Sequence, residues 1–413
     1  MFPLSKMLAG FVRKGSLTVT DADGKTHVFG GEPGPSCKIR LTDKSLYWKL
    51  FLNPELHAAE SYMDGKLIFE DGYGVRDLLA VFSANRRTLF DQPQQRALER
   101  LNKALKRALE ANPIGKAQEN VSRHYDLGNA LYELFLDREM FYSCAYFRRG
   151  NETLEEAQLA KCRLIAAKLR LEPGMKVLDI GSGWGGLARY LARVADVEVL
   201  GVTLSKEQLA LAVERTGAEG LSDRVRFELL DYRQLDRTFD RIVSVGMFEH
   251  VGVRHYAEFF GKSYRLLAPD GVMLLHSIGH MSPPNVASPF FRKYIFPGAY
   301  APAMSEVFPV VERSHLWVTD VEFLRLHYAR TLRHWQERFQ ARRAEAAAMY
   351  DERFCRMWEF YLLAAEEMFT GGASEVFQMQ LTRRIDAVPL SRDYIVEEQA
   401  RLERMERKQL AAE

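Results

Sequence analysis

Short apolar runs alternate with amphipathic stretches through the second half of the chain. An apolar run of four to six residues bounded by polar or glycine-rich positions is typical of a buried strand, and the longer stretches between such runs have helical periodicity. This alternation predicts parallel strands joined by helices, and therefore an α/β fold with a doubly wound sheet. The predicted strands are residues 176–180, 198–202, 224–229, 241–245 and 272–276.

The N-terminal part of the chain has a mixed pattern. Residues 16–20 and 26–30 are predicted strands and residues 75–82 a helix, which together predict a small α+β domain. Residues 95–111 carry leucines at spacings of three and four among lysines and arginines, which predicts a basic amphipathic helix. That helix is either a packed linker with a solvated face or a surface that lies on anionic lipid. Asn112, Pro113 and Gly115 then break the helix, and we place a domain boundary there.

The pattern predicts three parts: an N-terminal domain over residues 1–112, a catalytic domain over 113–390 and a charged C-terminal tail over 391–413. Residues 279–309 interrupt the strand and helix rhythm, and six of the fifteen prolines fall there among many aromatic residues. Such an insertion is either a functional lid or a packed irregular segment, and its length favours a lid. The charge-dense tail is predicted to form a frayed, solvent-exposed helix.

Composition excludes several classes of protein. The 413 residues are 47% hydrophobic and 27% charged, which is typical of a globular protein of two or three domains. A net charge of only +2 argues against a nucleic-acid-binding protein. The four cysteines are scattered, so neither a disulfide framework nor a zinc site is predicted, and reduced thiols fit a cytoplasmic location. No signal peptide and no apolar run long enough to span a bilayer are found, so any membrane contact is expected to be peripheral.

The strand at residues 176–180 leads into a glycine loop with the sequence KVLDIGSGWGG. Glycines at 181, 183 and 185 allow a sharp turn and a close approach of a ligand to the backbone at the N-terminus of a helix. The spacing is not the GxGxxG of dinucleotide-binding proteins, and the next strand ends in GVTLS without the acidic residue that would bind a ribose. Nicotinamide binding is therefore disfavoured.

The segment VLDIGSGWG matches the first motif of class I S-adenosylmethionine methyltransferases. Together with GVTLSKEQLALA, SVGMFEHVG, LLHSIG, FYSCAYF and HYARTL, it resembles the cyclopropane-fatty-acyl-phospholipid synthases and the mycolic acid cyclopropane synthases. The motifs extend from residue 124 to about residue 331, and the N-terminal extension resembles that of the bacterial phospholipid enzymes. The resemblance implies a class I methyltransferase Rossmann-like sheet, a smaller N-terminal domain for lipid binding or dimerisation, and a lid insertion after the fifth strand.

The activity implied by the resemblance is transfer of a methylene group from S-adenosylmethionine to the cis double bond of an unsaturated acyl chain in a membrane phospholipid. A carbocation would lose a proton to bound bicarbonate and close a cyclopropane ring. A homodimer associated peripherally with the inner membrane is also implied. Two alternatives remain: the same cofactor giving a methyl-branched or methylene acyl chain or a methylated small natural product, or a non-catalytic lipid-binding protein.

The family's cofactor contacts fall on eleven positions of this chain. Thr203 and Gln208 are polar substitutes for the missing acidic residue. Where the mycolate enzymes have Trp-Glu, this chain has Tyr232-Arg233, which puts a carboxylate contact to the cofactor in doubt. The eleven positions are Tyr142, Ser143, Gly181, Gly183, Trp184, Gly185, Thr203, Leu204, Gln208, Tyr232 and Arg233.

The family's bicarbonate site matches five further positions. His276, Tyr328 and backbone N–H groups would donate hydrogen bonds to the anion, and Glu249 would accept its hydroxyl proton. Aromatic faces at Tyr142 and Phe248 would stabilise cationic species. A family cysteine near the C-terminus is replaced by alanine at position 365, so that thiol is not required. The five positions are Cys144, Glu249, His276, Ile278 and Tyr328, and taken singly each is also an ordinary buried or helix-capping residue.

Overall fold

The computed structural model describes residues 1–86, 88 and 128–410, which form two compact units. The predicted basic helix at residues 95–111 and the predicted boundary at residues 112–115 lie outside the described residues, so the predicted division into domains stays a prediction. The first unit comprises Met1–Leu109, Asn285–Pro297 and Leu332–Ala373, and the second comprises Glu110–Pro284, Gly298–Thr331 and Ser374–Glu413.

The described part of the chain contains strands and helices in mixed order. The strands are β1 (Lys14–Thr20), β2 (Thr26–Gly30), β3 (Glu32–Leu41), β4 (Leu67–Phe69), β5 (Lys176–Ile180), β6 (Glu198–Thr203), β7 (Val225–Leu229), β8 (Phe239–Val245), β9 (Leu267–His280), β10 (Trp317–Phe323) and β11 (Ser374–Thr382). The helices are α1 (Leu4–Phe11), α2 (Leu46–Leu52), α3 (Pro54–Met63), α4 (Val75–Ala84), α5 (Asn129–Glu133), α6 (Leu154–Leu169), α7 (Gly186–Ala195), α8 (Lys206–Ala218), α9 (Tyr256–Leu266), α10 (Met304–Val311), α11 (His327–Ala341), α12 (Arg343–Met349), α13 (Glu352–Thr370) and α14 (Asp393–Leu410). Short 3₁₀ turns cover Tyr232–Gln234, Phe248–His250 and Val253–His255, and a π-helix covers Phe291–Ile295.

The first unit is built on a four-stranded sheet with the order β2-β1-β3-β4. β1 pairs antiparallel with β2 and parallel with β3, and helices α1, α2 and α4 contribute to the same apolar core. The predicted strands and helix of this region are confirmed. In α13, the buried Glu366 binds Arg76 and Arg333, so the carboxylate is neutralised by two guanidinium groups.

The second unit contains a seven-stranded sheet with the order β10-β11-β9-β8-β5-β6-β7. The neighbouring strands β9 and β8, β8 and β5, β5 and β6, and β6 and β7 pair in parallel. β11 is antiparallel to both of its neighbours, β10 and β9. All five predicted strands form, and the predicted doubly wound α/β sheet is confirmed. Apolar cores lie against the sheet, in agreement with its apolar strands.

Helix α6 packs on the sheet and begins at a capping box. The side chain of Thr153 accepts a hydrogen bond from the Glu156 N–H, and the Glu156 carboxylate accepts one from the Thr153 N–H. Both bonds satisfy N–H groups that a helix start leaves without intrahelical partners. Helix α6 is covered on most sides, because twelve of its sixteen residues are buried.

The C-terminal segment is a helix, as predicted, but it is not frayed and solvent-exposed along its length. Helix α14 packs against α6 and buries Leu402 in the core of the second unit. The Glu406 carboxylate accepts hydrogen bonds from the Arg163 guanidinium at 2.6 Å and from the Tyr190 hydroxyl at 2.7 Å. The prediction was wrong because it rested on the number of charged residues. One face of the helix carries apolar residues that pack against the unit. The Glu406 carboxylate can be buried because a guanidinium and a hydroxyl group bind it.

The predicted insertion does follow β9, the fifth strand in chain order within the second unit. Its residues Asn285–Pro297 belong to the first unit, and Gly298 and the residues after it belong to the second. Within the second unit, the Tyr300 N–H donates to the Glu249 carbonyl at 2.8 Å, and the Tyr300 hydroxyl donates to Glu306 at 2.6 Å. The function of the insertion as a lid stays a prediction.

Candidate active site

A cavity of about 160 Å³ lies at the carboxyl edge of the parallel strands in the second unit. Its wall includes the ends of β5 and β6, the glycine loop that follows β5, and the segments after β7 and β8. Ligands of open α/β sheets bind in the crevice outside the carboxyl ends of the strands, because the loops that follow neighbouring strands converge there. The cavity is therefore the candidate cofactor site.

The three loop glycines have positive φ angles, which a residue with a Cβ adopts only with strain. A Cβ on Gly181 would lie 2.8 Å from the Met247 Cβ, and one on Gly185 would lie 2.6 Å from the Phe227 ring. A Cβ on Gly183 would meet nothing within 4 Å, although Gly183 lines the cavity. Gly181 and Gly185 are thus needed for packing inside the protein, whereas Gly183 leaves backbone open to a ligand.

Ten of the eleven predicted cofactor-contact residues line this cavity. The exception is Gly185, which occupies the N-cap position of α7 against Phe227. The structure therefore brings together residues that are separated by about ninety positions in the sequence, from Tyr142 to Arg233. Their contacts with a cofactor stay a prediction.

The two residues predicted to replace the missing acidic group bind each other. The Thr203 hydroxyl donates to the Gln208 Oε1 at 2.9 Å. Ser205 caps α8 by accepting a hydrogen bond from the Gln208 N–H at 3.3 Å, which fixes the start of the helix beside the cavity. Thr203 and Gln208 thus present one ordered polar patch at the end of β6.

A carboxylate that the sequence analysis missed lies beside Tyr232. Asp231 lines the cavity and binds the Arg233 guanidinium through both carboxylate oxygens, at 2.9 and 2.6 Å. The Trp-Glu to Tyr-Arg difference had put a carboxylate contact in doubt, yet the wall of the cavity retains one. Its position just after β7 was the available signal, since polar residues at the carboxyl ends of parallel strands gather at one edge.

Lys161 is a second missed residue of the cavity wall. It lies on α6 with 1% of its surface exposed, donates to the Ser143 hydroxyl at 3.0 Å and sits 3.7 Å from the centre of the Phe141 ring. Burial lowers the pKa of Lys161, and the nearby Asp137 and Asp179 carboxylates raise it. Burial raises the pKa of Asp179 to about 7, opposed by Lys161. The lysine had no motif to reveal it, because it stands among alanines and leucines within a helix.

None of the five predicted catalytic residues is among the described residues that line the cavity. Residues close to Glu249 in the sequence do line it. Met247 and His250, on either side of Glu249 in sequence, both line the cavity. Within the five, the Ile278 N–H donates to the Glu249 Oε1 at 2.6 Å. Backbone N–H groups were expected to donate to the bound anion, and in the structure this one donates to Glu249.

His276 and Ile278 lie two residues apart on β9, so their side chains point to the same face of the sheet. Cys144 and Tyr328 are related through Thr331, whose hydroxyl accepts from the Ala145 N–H at 3.0 Å and lies one helical turn after Tyr328 on α11. The structure thus groups His276 with Ile278 and Glu249, and Cys144 with Tyr328. Lys161 acts electrostatically on both groups, because it partly offsets the rise that burial causes in the Cys144 pKa and adds to the lowering of the His276 pKa.

Burial determines the protonation states in these groups. It raises the pKa of Glu249 to about 7, and the hydrogen bond from Ile278 partly offsets this. It lowers the pKa of His276 to about 3, so the imidazole is neutral at physiological pH. Burial also raises the pKa of the Cys144 thiol, which donates to the Ala145 carbonyl at 3.3 Å. Cys144 is therefore a protonated thiol and not a nucleophilic thiolate.

Phe248 lies outside the described residues that line the cavity. Its ring is fully buried and stacks on Tyr256 with the centroids 4.3 Å apart, and Phe259 lies 5.0 Å away. Because neighbouring rings enclose it, Phe248 is a core residue, whereas Tyr142 does line the cavity. The expected role of the Phe248 aromatic face in stabilising a cationic species stays a prediction.

Two curated relatives match most of the chain. A probable fatty acid methyltransferase of Pseudomonas putida is 38% identical over 354 residues, which cover 84% of this chain and 87% of the relative. The cyclopropane-fatty-acyl-phospholipid synthase of Escherichia coli (strain K12) is 39% identical over 350 residues, which cover 84% of this chain and 88% of the relative.

A solved structure and a family model match the part that contains the cavity. The crystal structure of mycolic acid cyclopropane synthase CmaA1 complexed with SAH and CTAB is 38% identical, with a TM-score of 0.62, and the match covers 66% of this chain and 99% of that one. The family model described as mycolic acid cyclopropane synthetase matches residues 114–379, which include the glycine loop and all five predicted catalytic positions. The chain therefore belongs to the mycolic acid cyclopropane synthetase family and is an S-adenosylmethionine-dependent enzyme of that family.

Proposed function

We propose that this enzyme transfers a methylene group from S-adenosylmethionine to the cis double bond of an unsaturated acyl chain in a membrane phospholipid and forms a cyclopropane ring. The observation that carries the proposal is the buried Glu249 carboxyl, with a pKa of about 7, which accepts a hydrogen bond from the Ile278 N–H on the strand that also carries the neutral His276 imidazole. A base of this kind is what closure of the ring requires, because a proton must leave the newly added methyl group. The phospholipid substrate is supported by the name of the Escherichia coli relative, a cyclopropane-fatty-acyl-phospholipid synthase.

The cavity fits S-adenosylmethionine. Gly183 leaves open backbone where a Cβ would enter the cavity, and one Asp179 carboxylate oxygen is buried without a hydrogen-bond partner among the described residues. Asp231 and the Thr203–Gln208 patch provide acceptors and donors for the polar part of the cofactor. When bound, the sulfonium supplies the electrophilic methyl group. The protein residues hold it in position and exclude water, which matters because an isolated alkene is a weak nucleophile.

The group formed by Glu249, Ile278 and His276 fits a small anion such as bicarbonate. The Glu249 Oε2 is buried and has no hydrogen-bond partner among the described residues, while its Oε1 is held by Ile278. An unpaired buried acceptor is costly, and a hydroxyl donor placed against it would remove that cost. Bicarbonate would supply a small basic oxygen. His276 would donate to it, and Glu249 would accept its hydroxyl proton, which avoids direct repulsion between two anions.

We also propose that the enzyme is a cytoplasmic homodimer that associates peripherally with the inner membrane. None of the helices in the described ranges combines the length and apolar character that a membrane span requires. A phospholipid substrate nevertheless requires contact with a bilayer, and residues 95–111 carry a basic amphipathic pattern in the sequence. Cosedimentation with anionic vesicles should weaken as salt rises, and binding indifferent to salt and to anionic lipid would refute the basic-helix contact.

A second outcome of the same chemistry is favoured by one comparison. The Pseudomonas putida relative is named as a probable fatty acid methyltransferase, without mention of a ring. A methyl-branched alkene would arise from the same carbocation if the proton were lost from a neighbouring carbon of the acyl chain. A methylene product would arise if a hydride first moved from the methyl-bearing carbon to the cationic carbon and the proton then left the added methyl group. Product analysis separates these outcomes.

The deciding experiment is lipid analysis by gas chromatography and mass spectrometry in a host that lacks such an enzyme. We expect acyl chains that are heavier by one CH₂ group and contain no alkene. A methyl or methylene branch would support the second outcome, and the absence of any acyl chain heavier by one carbon would refute both. The Glu249→Gln variant should lose the product, with cofactor binding by calorimetry retained. Glu375→Gln is the matched control and should keep activity. Glu375 is also a buried carboxyl, and burial raises its pKa as well.

A further inference from the structure

Gln378 lies between a buried lysine and the predicted catalytic histidine. It sits on β11 directly opposite His276 on β9, and Lys168 approaches from α6. Lys168 and Gln378 are fully buried, and His276 is 2% exposed. Each of the three polar side chains therefore depends on the other protein groups for its hydrogen bonds.

The direction of the hydrogen bonds follows from the lysine. Lys168 Nζ lies 2.8 Å from the Gln378 Oε1 and 2.6 Å from a Glu322 carboxylate oxygen, and Asp320 is 3.6 Å away. Burial lowers the pKa of Lys168, but the Glu322 and Asp320 carboxylates oppose this and favour the charged ammonium, which only donates. The atom of the Gln378 amide that faces Lys168 must therefore be the oxygen, since an amide orientation is settled by its hydrogen-bond partners.

The other end of the same amide then has a fixed role. Its NH₂ group faces the His276 Nδ1 at 3.1 Å and donates to it. A neutral imidazole carries one proton, and with Nδ1 acting as acceptor that proton is on Nε2. The imidazole is neutral because it is buried and because Lys161 and Lys168 both disfavour its charged form.

We propose that Lys168 and Gln378 are positioning residues that hold His276 in the tautomer protonated on Nε2, so that the ring presents an N–H donor to the anion of the active site. This inference rests on the proposed function, because it states that the His276 ring acts as a hydrogen-bond donor in the proposed anion site. Strand pairing places Gln378 opposite His276. The amide additionally fixes which nitrogen carries the proton.

A second buried glutamine on the same strand provides a control. Gln380 is two residues from Gln378, so it points to the same face, and it is also fully buried. Its amide donates to the Lys168 carbonyl at 2.5 Å and to the Tyr394 hydroxyl at 2.8 Å. Removing either amide leaves buried partners unsatisfied, but only Gln378 contacts His276.

The test is ¹⁵N NMR of the full-length enzyme labelled at histidine, with the His276 signal assigned by comparison with His276→Asn. We expect the wild-type ring to be protonated on Nε2. In Gln378→Glu, a carboxylate would accept from both Lys168 and the ring, so the proton should move to Nδ1. Gln378→Met should give a mixture of tautomers, whereas Gln380→Met should match the wild type.

Turnover supplies the second readout. Gln378→Met should reduce kcat by roughly tenfold or more with cofactor affinity retained, which is the usual scale for loss of a residue that orients a functional histidine. Gln380→Met should leave kcat within a few-fold of the wild type. A wild-type His276 protonated on Nδ1 would overturn the inference even if every Gln378 variant failed to fold. So would an unchanged tautomer in Gln378→Glu.

The two proposals fail separately. If expressing cells contain no modified acyl chains but the tautomers change as described, the proposed function is wrong and the positioning of His276 stands. If the cyclopropane product forms while His276 is protonated on Nδ1, the function stands and the role of Lys168 and Gln378 is wrong.

Discussion

Gly183 and Gly174 are two glycines of the second unit that share a backbone conformation and differ in surroundings. Both have positive φ, at 54° and 81°, and a Cβ on either would meet no protein atom within 4 Å. Gly183 lines the cavity, and Gly174 lies in the turn before β5. The same substitution therefore separates the conformational role of a glycine from its role in leaving space for a ligand.

We predict that Gly183→Ala and Gly174→Ala each lower the free energy of unfolding by about 1–2 kcal/mol, because both force alanine into the left-handed region. Only Gly183→Ala should weaken S-adenosylmethionine binding. A methyl group that crowds a ligand costs about 1–3 kcal/mol, so Kd should rise roughly tenfold or more. Urea denaturation and calorimetry measure the two effects, and equal cofactor affinity in both variants would contradict the assignment of Gly183 to the cofactor site.

Individual residues of the site differed in how far sequence could reveal them. The loop glycines and Glu249 stand in motifs, so a short pattern was enough to single them out. Lys161 and Asp231 have no such pattern, because their roles depend on contacts made across the fold, with Ser143 and Arg233 respectively. The pKa values of the buried carboxyl groups also depend on burial, which only the folded structure determines.

At the scale of elements, the parallel strands were predictable because burial on both faces makes them nearly continuous apolar runs. β11 was not, although it lies between β9 and β10 in the same sheet. It carries Gln378 and Gln380, and both are fully buried. A strand with polar residues at alternate positions resembles a half-exposed strand, and only the partners Lys168 and Tyr394 explain why these amides are inside.

Helix α14 gives a prediction about the segment that was expected to be a solvent-exposed tail. Leu402 is 1% exposed in the core of the second unit, whereas Val396 on the same helix is 57% exposed. Leu402→Ala should lower the free energy of unfolding by about 2–5 kcal/mol, because it leaves a cavity against α6. Val396→Ala removes a similar type of side chain and should change stability by less than about 0.5 kcal/mol. Chemical denaturation measures both free energies of unfolding. If Leu402→Ala changed stability as little as Val396→Ala, packing of α14 would not stabilise the unit.

At the scale of the whole molecule, stability should depend on pH through the buried carboxyl groups. Burial raises the pKa of Glu249 to about 7, above its value of about 4.5 in an unfolded chain. The folded state therefore binds the Glu249 proton more tightly than the unfolded state does. Its contribution to stability is fully present below about pH 4.5 and is lost as pH rises through about 7. Asp179 contributes in the same direction, since burial raises its pKa to about 7 as well.

We predict that Glu249→Gln becomes more stable relative to the wild type as pH rises from 4.5 to 8. The change should be on the order of 1.4 kcal/mol for each unit by which the folded and unfolded pKa values of Glu249 differ. Denaturation of both proteins across this range measures it. Glu172→Gln, which alters an exposed carboxyl in a loop, is the control and should run parallel to the wild type. A parallel course for Glu249→Gln would show that folding does not raise the pKa of Glu249.

The position of β11 in the sheet also affects how the protein is made. A chain synthesised only as far as residue 373 has β9 and its partner β8 but lacks β11, which pairs with the other edge of β9, so an apolar strand edge is exposed on the ribosome. β10, already synthesised, has no partner until β11 arrives between them. The nascent enzyme is therefore most exposed to aggregation just before residues 374–382 emerge, and the same nine residues bring the glutamine that contacts His276.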